Sequence, residues 1–319
     1  MKSLMTKKSP RVLLVSAEAY PFSGSGAGEA AMQSLPEAVA GEGYDVSLIL
    51  PKYPRPAIAA LDCEPVPARI PVPLGEHNFQ AAVYRAQASV SPAVPIDAVV
   101  DPESPRRRFP VYFVENAKFF GRERIYGTAG APYLDNDERF TFFCRAVLEF
   151  VLKAGISFDL IHCHDWPTAL VPMFLRVAYD GRRPFLKTAS ILTVHDPDAQ
   201  GDFPPESFAL TGLAWDLFKP EHLAANGRFN FLNAGFRYAD SLKAGNPAAA
   251  EAVRGGESGR ELAATLEKRR REAAAEAAAG GANIRANGRF DFNAPASFRE
   301  YAGIYRHVLD DLKGGSHVR

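Results

Sequence analysis

The sequence predicts an α/β fold: a single doubly wound, Rossmann-like domain with an added C-terminal helix. Three observations carry that expectation. Short apolar runs such as Val12-Leu-Leu-Val15 recur through roughly 240 residues, as strands buried on both faces require. Helical segments alternate with them. The first run leads through Tyr20-Pro21 into a glycine-rich turn, Ser23-Gly-Ser-Gly-Ala-Gly28, and then a helix, the opening of a right-handed βαβ unit. At about 150 residues per domain, 319 residues allow two modest domains or one large domain with appendages.

The elements follow in order. Residues 11–17 form the first strand, and an alanine-rich helix spans 29–40 with Pro36 as a kink. Asp45-Val-Ser-Leu-Ile-Leu50 is a second buried strand, stopped by Pro51. Residues 54–110 alternate in bursts at Val66–Val72 and Phe79–Arg85, which predicts short hairpins, and Val111-Tyr-Phe-Val114 is another strand. Phe140, Phe143, Val147 and Val151 fall at helical spacing within 135–153, with Asp135 as the N-cap. Phe158–His162 returns to strand, Pro167 opens a helix reaching Tyr179, and Ala189–His195 is a strand again.

Past Ala244 the composition shifts to Ala, Glu, Arg and Gly. Residues 261–279 are strong helix formers, ended by Gly280-Gly281. Their apolar stripe is thin, Leu262 and Leu266 and then alanines, so this helix is expected to bury little. Ser297–Leu312 is better patterned: Phe298, Tyr301, Ile304, Tyr305 and Leu309 make a stripe that needs a partner surface.

Composition excludes several classes. An apolar content of 47% rules out wholesale disorder. The 37 basic and 37 acidic residues cancel, leaving no overall field for nucleic acid or an anionic membrane. Arg106-Arg-Arg108 and Arg269-Arg-Arg271 lack interleaved aromatics and fit solvated faces. Three scattered cysteines, Cys63, Cys144 and Cys163, make neither a disulfide framework nor a metal-ligand spacing. The basic N-terminus precedes an apolar run too short for a signal core or a membrane span, so a soluble cytoplasmic protein is expected.

Chemistry can sit at three places. The turn Gly24-Ser25-Gly26-Ala-Gly28 lies where backbone amides can cradle an anion, but Glu29 breaks the dinucleotide fingerprint; a ligand-free packing turn fits as well. His162-Cys-His164-Asp165-Trp166-Pro167 is the densest polar cluster, at the carboxyl end of a strand where open α/β sheets line their crevice. Alternation puts His162 and Cys163 on opposite faces and sends His164 and Asp165 into the loop. Polar residues capping the Pro167 helix are the plain alternative to a metal site or a Cys163 nucleophile. Thr193-Val-His195 with Gln200-Gly201 ends another strand. If the two strands are neighbours, His164, Asp165 and His195 share a crevice suited to a sugar or phosphate.

At these residues the chain resembles the N-terminal domain of bacterial glycogen synthases and plant starch synthases, retaining glycosyltransferases of the two-domain GT-B architecture. The matching segments are Val15-Ser-Ala-Glu-Ala-Tyr-Pro21, Leu50-Pro-Lys-Tyr53, Tyr126-Gly with Asp135-Asn136 and Arg139-Phe140, His162–Trp166 with Thr168-Ala-Leu170, Thr193-Val-His195, Gln200-Gly201, and Phe231-Leu to Tyr238-Ala-Asp240. They run in order from 11 to 245. Phe290-Asp-Phe through Ile304-Tyr305 is similar to the family's closing helix, which returns to pack on the first domain.

The resemblance implies a division into 9–246 as the synthase-like Rossmann domain, 247–285 as an Ala/Glu/Arg-rich helical linker, and 286–319 as closing helix and tail. It implies glucosyl transfer from ADP-glucose to the non-reducing end of an α-1,4-glucan, with no cofactor and no required metal. His195 matches the histidine contacting the donor glucose; His164, Asp165, Trp166, Gln200, Gly201 and Tyr126 fall in the acceptor and substrate cleft. Gly24, Ser25 and Gly26 occupy the donor loop.

The departures matter. The family's first loop is Lys-x-Gly-Gly-Leu, and here no lysine is present. Asp196-Pro197 stands for Asn-Leu, Ala199 for a tyrosine, and Asn233 for a lysine. Where the family inserts its nucleotide-sugar domain, between 255 and 285, only the helical segment appears. A leaving phosphate needs several positive or amide contacts. The expected partner is therefore an α-glucan rather than ADP-glucose, and the chain alone is expected to be weak or inactive. A glucan-binding or regulatory module, or a half-enzyme completed by a separate donor-domain protein, are the alternatives; neither nucleic acid nor membrane is an expected partner.

Overall fold

The computed structural model describes residues 8–23, 27–66, 69–88, 108–128, 130–219, 223–255, 260–278 and 292–314. The glycine loop at Gly24, Ser25 and Gly26, the pair Arg106-Arg107, the Gly280-Gly281 stop and Phe290-Asp291 lie outside them. Strand β1 (Arg11–Val15) is followed by α1 (Ala27–Gly41), which runs through Pro36, and by β2 (Asp45–Pro51). An antiparallel hairpin, β3 (Ile70–Leu74) and β4 (His77–Ala88), turns at Gly75 and leads to β5 (Phe109–Glu115). Next come α2 (Asn136–Ala154), β6 (Leu160–His164), α3 (Leu170–Val177) and β7 (Ala189–Val194). The chain continues through α4 (Phe231–Tyr238), β8 (Ser241–Ala244), α5 (Pro247–Gly255), α6 (Arg260–Ala278) and α7 (Glu300–Gly314).

The main sheet runs β8-β7-β6-β1-β2-β5-β4, with β3 and the two-residue strand Glu64–Pro65 both pairing β4. From β8 to β5 every pairing is parallel; the hairpin side is antiparallel. Alternation sorts β1 onto two cores: Leu13 and Val15 face the helices α2 to α5, while Val12 and Leu14 face α1 and α7. Burial on both faces is why these strands read as continuous apolar runs.

Three expectations change in detail. Asp135 does occupy the N-cap of α2, but its carboxylate takes Arg122 as partner and makes no capping bond. Pro167 sits in a single 3₁₀ turn, Trp166–Thr168, before α3 begins at Leu170. Of the run Arg269-Arg-Arg271, expected on a solvated face, Arg269 instead turns inward and docks α6. Leu262 and Leu266 are buried, and Arg269 donates to the carbonyls of Phe236 and Ala239 at the end of α4, both at 2.7 Å. A thin stripe suffices there because Arg269 adds a polar anchor to the two buried leucines.

Candidate functional site

Sheet order reverses between β1 and β6, the switch point where the following loops diverge and leave a crevice. The carboxyl ends of β6 and β7 lie side by side, with Thr193 opposite His164. The polar clusters that follow them therefore meet. Asp165 leaves β6 with φ 58° and ψ 179°, a conformation suited to glycine and costing about 1–3 kcal/mol in other residues. Its carboxylate then crosses to β7, accepting from the backbone N–H of His195 (2.6 Å) and of Asp196 (3.2 Å). Burial raises the Asp165 carboxyl above its ordinary range, although His195 and both backbone N–H groups favour the charged form.

Behind this crossing stands a row of imidazoles. His164 Nδ1 lies 3.2 Å from His195 Nε2, with the rings stacked at 15°. The His162 ring is 4.2 Å from that of His164. His164 remains in the strand, 1% exposed, and does not reach into the loop as alternation alone suggested; the β6–β7 ladder continues one residue further. Burial, then the neighbouring histidines, hold His164 well below its usual value and bring His162 down to about 3. Both are neutral at ordinary pH. Cys163 points into the opposite core, with its thiol pushed far up by burial, which removes it as a nucleophile.

Trp166 forms the other wall. Its ring packs against Tyr126 (5.8 Å), Phe140 (4.8 Å), Phe203 (5.8 Å) and Phe231 (6.1 Å). Gly201, at φ +62°, lies so close that a Cβ would sit 2.5 Å from the indole. Gln200 donates from Nε2 to the Pro197 carbonyl at 3.0 Å and accepts from Asn230 at 2.8 Å. The half-buried Tyr126 bonds Glu18, and burial raises its phenol well above the ordinary range. Its loop is tied to the first turn of α2. Asn136 Nδ2 donates to the Tyr126 carbonyl at 2.8 Å, and Arg139, fully buried, donates to the Phe119 and Ile125 carbonyls.

His164, Asp165, Trp166, His195, Gln200 and Gly201 thus converge, with Tyr126 joining across Trp166. The donor-loop residues Gly24, Ser25 and Gly26 lie outside the described residues. Sequence reasoning missed Gly245, where a Cβ would fall 2.0 Å from His195 Nδ1, since only the fold reveals that approach. It also missed Asn246, which donates to the His195 carbonyl at 3.1 Å and caps α5 through the Ala249 N–H. The Asn-Pro pair at 246–247 carried that signal. Among the described residues no group of three or more His, Cys, Asp or Glu is placed to hold a metal, and no helix is long and apolar enough to cross a membrane.

The model for the starch synthase catalytic domain matches residues 11–268. The chain belongs to that glycogen and starch synthase family. Glycogen synthase from Thermodesulfovibrio yellowstonii is 37% identical over 264 residues, covering 82% of this chain and 52% of the relative. Glycogen synthase from Rhodopirellula baltica is 32% identical, covering 80% and 49%. Glycogen synthase 2 from Geobacter sulfurreducens is 34% identical, covering 73% and 44%. The chain spans about half the length of the curated relatives it matches. The fold is similar to the catalytic domain of starch synthase IV from Arabidopsis thaliana, solved bound to ADP and acarbose. That match has a TM-score of 0.67 at 24% identity over 81% of this chain and 49% of that one. This synthase-family chain therefore carries a GT-B type, glycosyltransferase-like domain, and the matched stretch ends inside α6.

Proposed function

We propose that this synthase-family chain supplies the glucan-holding side of an α-1,4-glucan synthase. It binds α-glucan in the crevice at β6 and β7, and glucose passes from ADP-glucose to that glucan only when a donor-binding unit closes over it. The observation that carries this is the convergence of Asp165, Trp166, His195, Gln200 and Gly201 beside the carboxyl ends of β6 and β7. In this reading the partly exposed Trp166 and Tyr126 border the sugar site, and His195 takes the donor-glucose contact that the family resemblance implies. The starch synthase IV catalytic domain, similar in fold, was solved bound to ADP and acarbose, which supports looking for a nucleotide and a saccharide here.

Supporting the donor-poor part, Asn233 stands where the family has a lysine and accepts a hydrogen bond from Thr265 of α6. Here that position helps to dock a helix. With no lysine in the loop at 24–28, the leaving phosphate lacks one contact of a kind worth about 3–4 kcal/mol.

Side-by-side isotherms test this reading. Maltoheptaose is expected to bind, ADP-glucose to bind more weakly, and transfer of labelled glucose to glycogen to stay near background until a donor-binding unit from a relative is added. Absence of maltoheptaose binding overturns the glucan assignment. Transfer by the purified chain at ordinary synthase turnover overturns the need for a donor-binding unit.

A further inference from the structure

The apolar stripe of α7 does more than cover the sheet, because its two tyrosines carry hydroxyls into the polar row behind the site. Tyr305 Oη lies 2.6 Å from His162 Nδ1, and His162 Nε2 lies 2.7 Å from Thr193 Oγ1. Thr193 Oγ1 is in turn 3.1 Å from Tyr301 Oη. Both nitrogens of a fully buried imidazole are therefore bonded, one by α7 directly and one by a β7 hydroxyl that α7 also touches. His162 and His164 sit two residues apart on one face of β6, so the restrained ring bears on His164, and His164 Nδ1 meets His195 Nε2. The chain of contacts runs unbroken from the closing helix to the end of β7.

From this geometry we infer that Tyr305 is a positioning residue for His195, acting through His162 and His164, so that docking of α7 and the arrangement of the strand-end site are set together. The protons in the row fit this role. Neutral His164 has one N–H, and its Nε2 has no hydrogen-bond partner among the described residues. Placing the proton on Nδ1 makes it the donor to His195 Nε2 and avoids a buried, unpaired N–H. His195 then accepts at Nε2, and in its neutral form carries its own proton on Nδ1, the nitrogen that faces Gly245. Freeing His162 from Tyr305 lets that ring turn, and the ring stacked beneath His195 moves with it. The link to catalysis rests on the proposed function; the link between α7 and His195 does not.

The test uses the full chain with ring-¹⁵N-labelled histidine, of which the sequence has seven. Tyr305→Phe removes the hydroxyl and keeps the ring. Thr193→Val does the same on the other side of His162. Tyr44→Phe is the control: it removes the 2.9 Å bond from Tyr44 Oη to the Ala302 carbonyl, which also holds α7 but touches no histidine. Expected is a displacement of the His164 and His195 ring ¹⁵N resonances in Tyr305→Phe and Thr193→Val, beyond their linewidths, with none in Tyr44→Phe. Movement confined to His162, or equal movement in Tyr44→Phe, overturns the inference. If Tyr305→Phe fails to fold, Thr193→Val against Tyr44→Phe decides by the same resonances. Maltoheptaose titration of the wild-type chain is read separately, so loss of glucan binding there refutes the glucan assignment without touching the positioning result.

Discussion

Asp165, Gly245 and the buried histidines hold the site residue by residue, and each makes a checkable claim. Asp165→Ala leaves the backbone N–H groups of His195 and Asp196 without their acceptor. A loss of about 1.5–3 kcal/mol in urea unfolding is expected, together with weaker maltoheptaose binding. Gly245→Ala places a methyl 2.0 Å from His195 Nδ1. The overlap should cost about 1–3 kcal/mol and displace the His195 ring resonances; unchanged resonances would show that His195 is not packed on Gly245. His162 gives a pH dependence of definite sign. Its folded value, about 3, lies below the unfolded one, so the unfolded chain binds the extra proton. Its contribution is complete above about pH 6.5 and is lost as pH falls toward 3, at about 1.4 kcal/mol per pH unit. His164 adds in the same direction. In His162→Gln the fall in unfolding free energy between about pH 6.5 and about pH 4 should be correspondingly shallower, measured by denaturant midpoints.

Among the elements, α6 and α7 show how far a stripe pattern can be read. The α7 stripe was legible because Tyr301, Tyr305 and Leu309 recur at helical spacing, and all three are buried. Its polar function was not, because nothing in a helical period says that Tyr305 will meet an imidazole on β6. For α6 the pattern named the two leucines that are buried but not the polar anchor beside them. What decides its docking is Arg269, whose guanidinium reaches two carbonyls left over at the end of α4, and an ion pair between Arg237 and Glu272. Arg269→Met should cost about 1–3 kcal/mol for each carbonyl left unpaired, and should expose α6 to limited proteolysis before the rest of the domain. Equal protection in the variant would mean that the leucines alone hold the helix.

For the whole molecule, the parallel sheet is closed on one face by α1 and α7 together, and that face is not self-sufficient. Tyr301, Tyr305, Val308 and Leu309 are buried there. At about 1.5–3 kcal/mol for each side chain removed from water, their burial is comparable with the total stability of a typical domain. Deleting residues 296–319 should therefore abolish the cooperative unfolding transition and expose apolar surface to a dye such as ANS; a sharp transition in the shortened chain would contradict this. The sequence by itself determined the alternation of strand and helix, the opposite faces of His162 and Cys163, and the family, because these depend on local period and on motif residues in order. Only the tertiary structure decided that His164 stays buried and bonds His195, that Gly245 limits His195, that Asn233 is spent on α6, and that Tyr305 completes the row. Each of those depends on register between strands 30 residues apart, or on the approach of a helix from the chain's far end, and neither leaves a periodic trace along the chain.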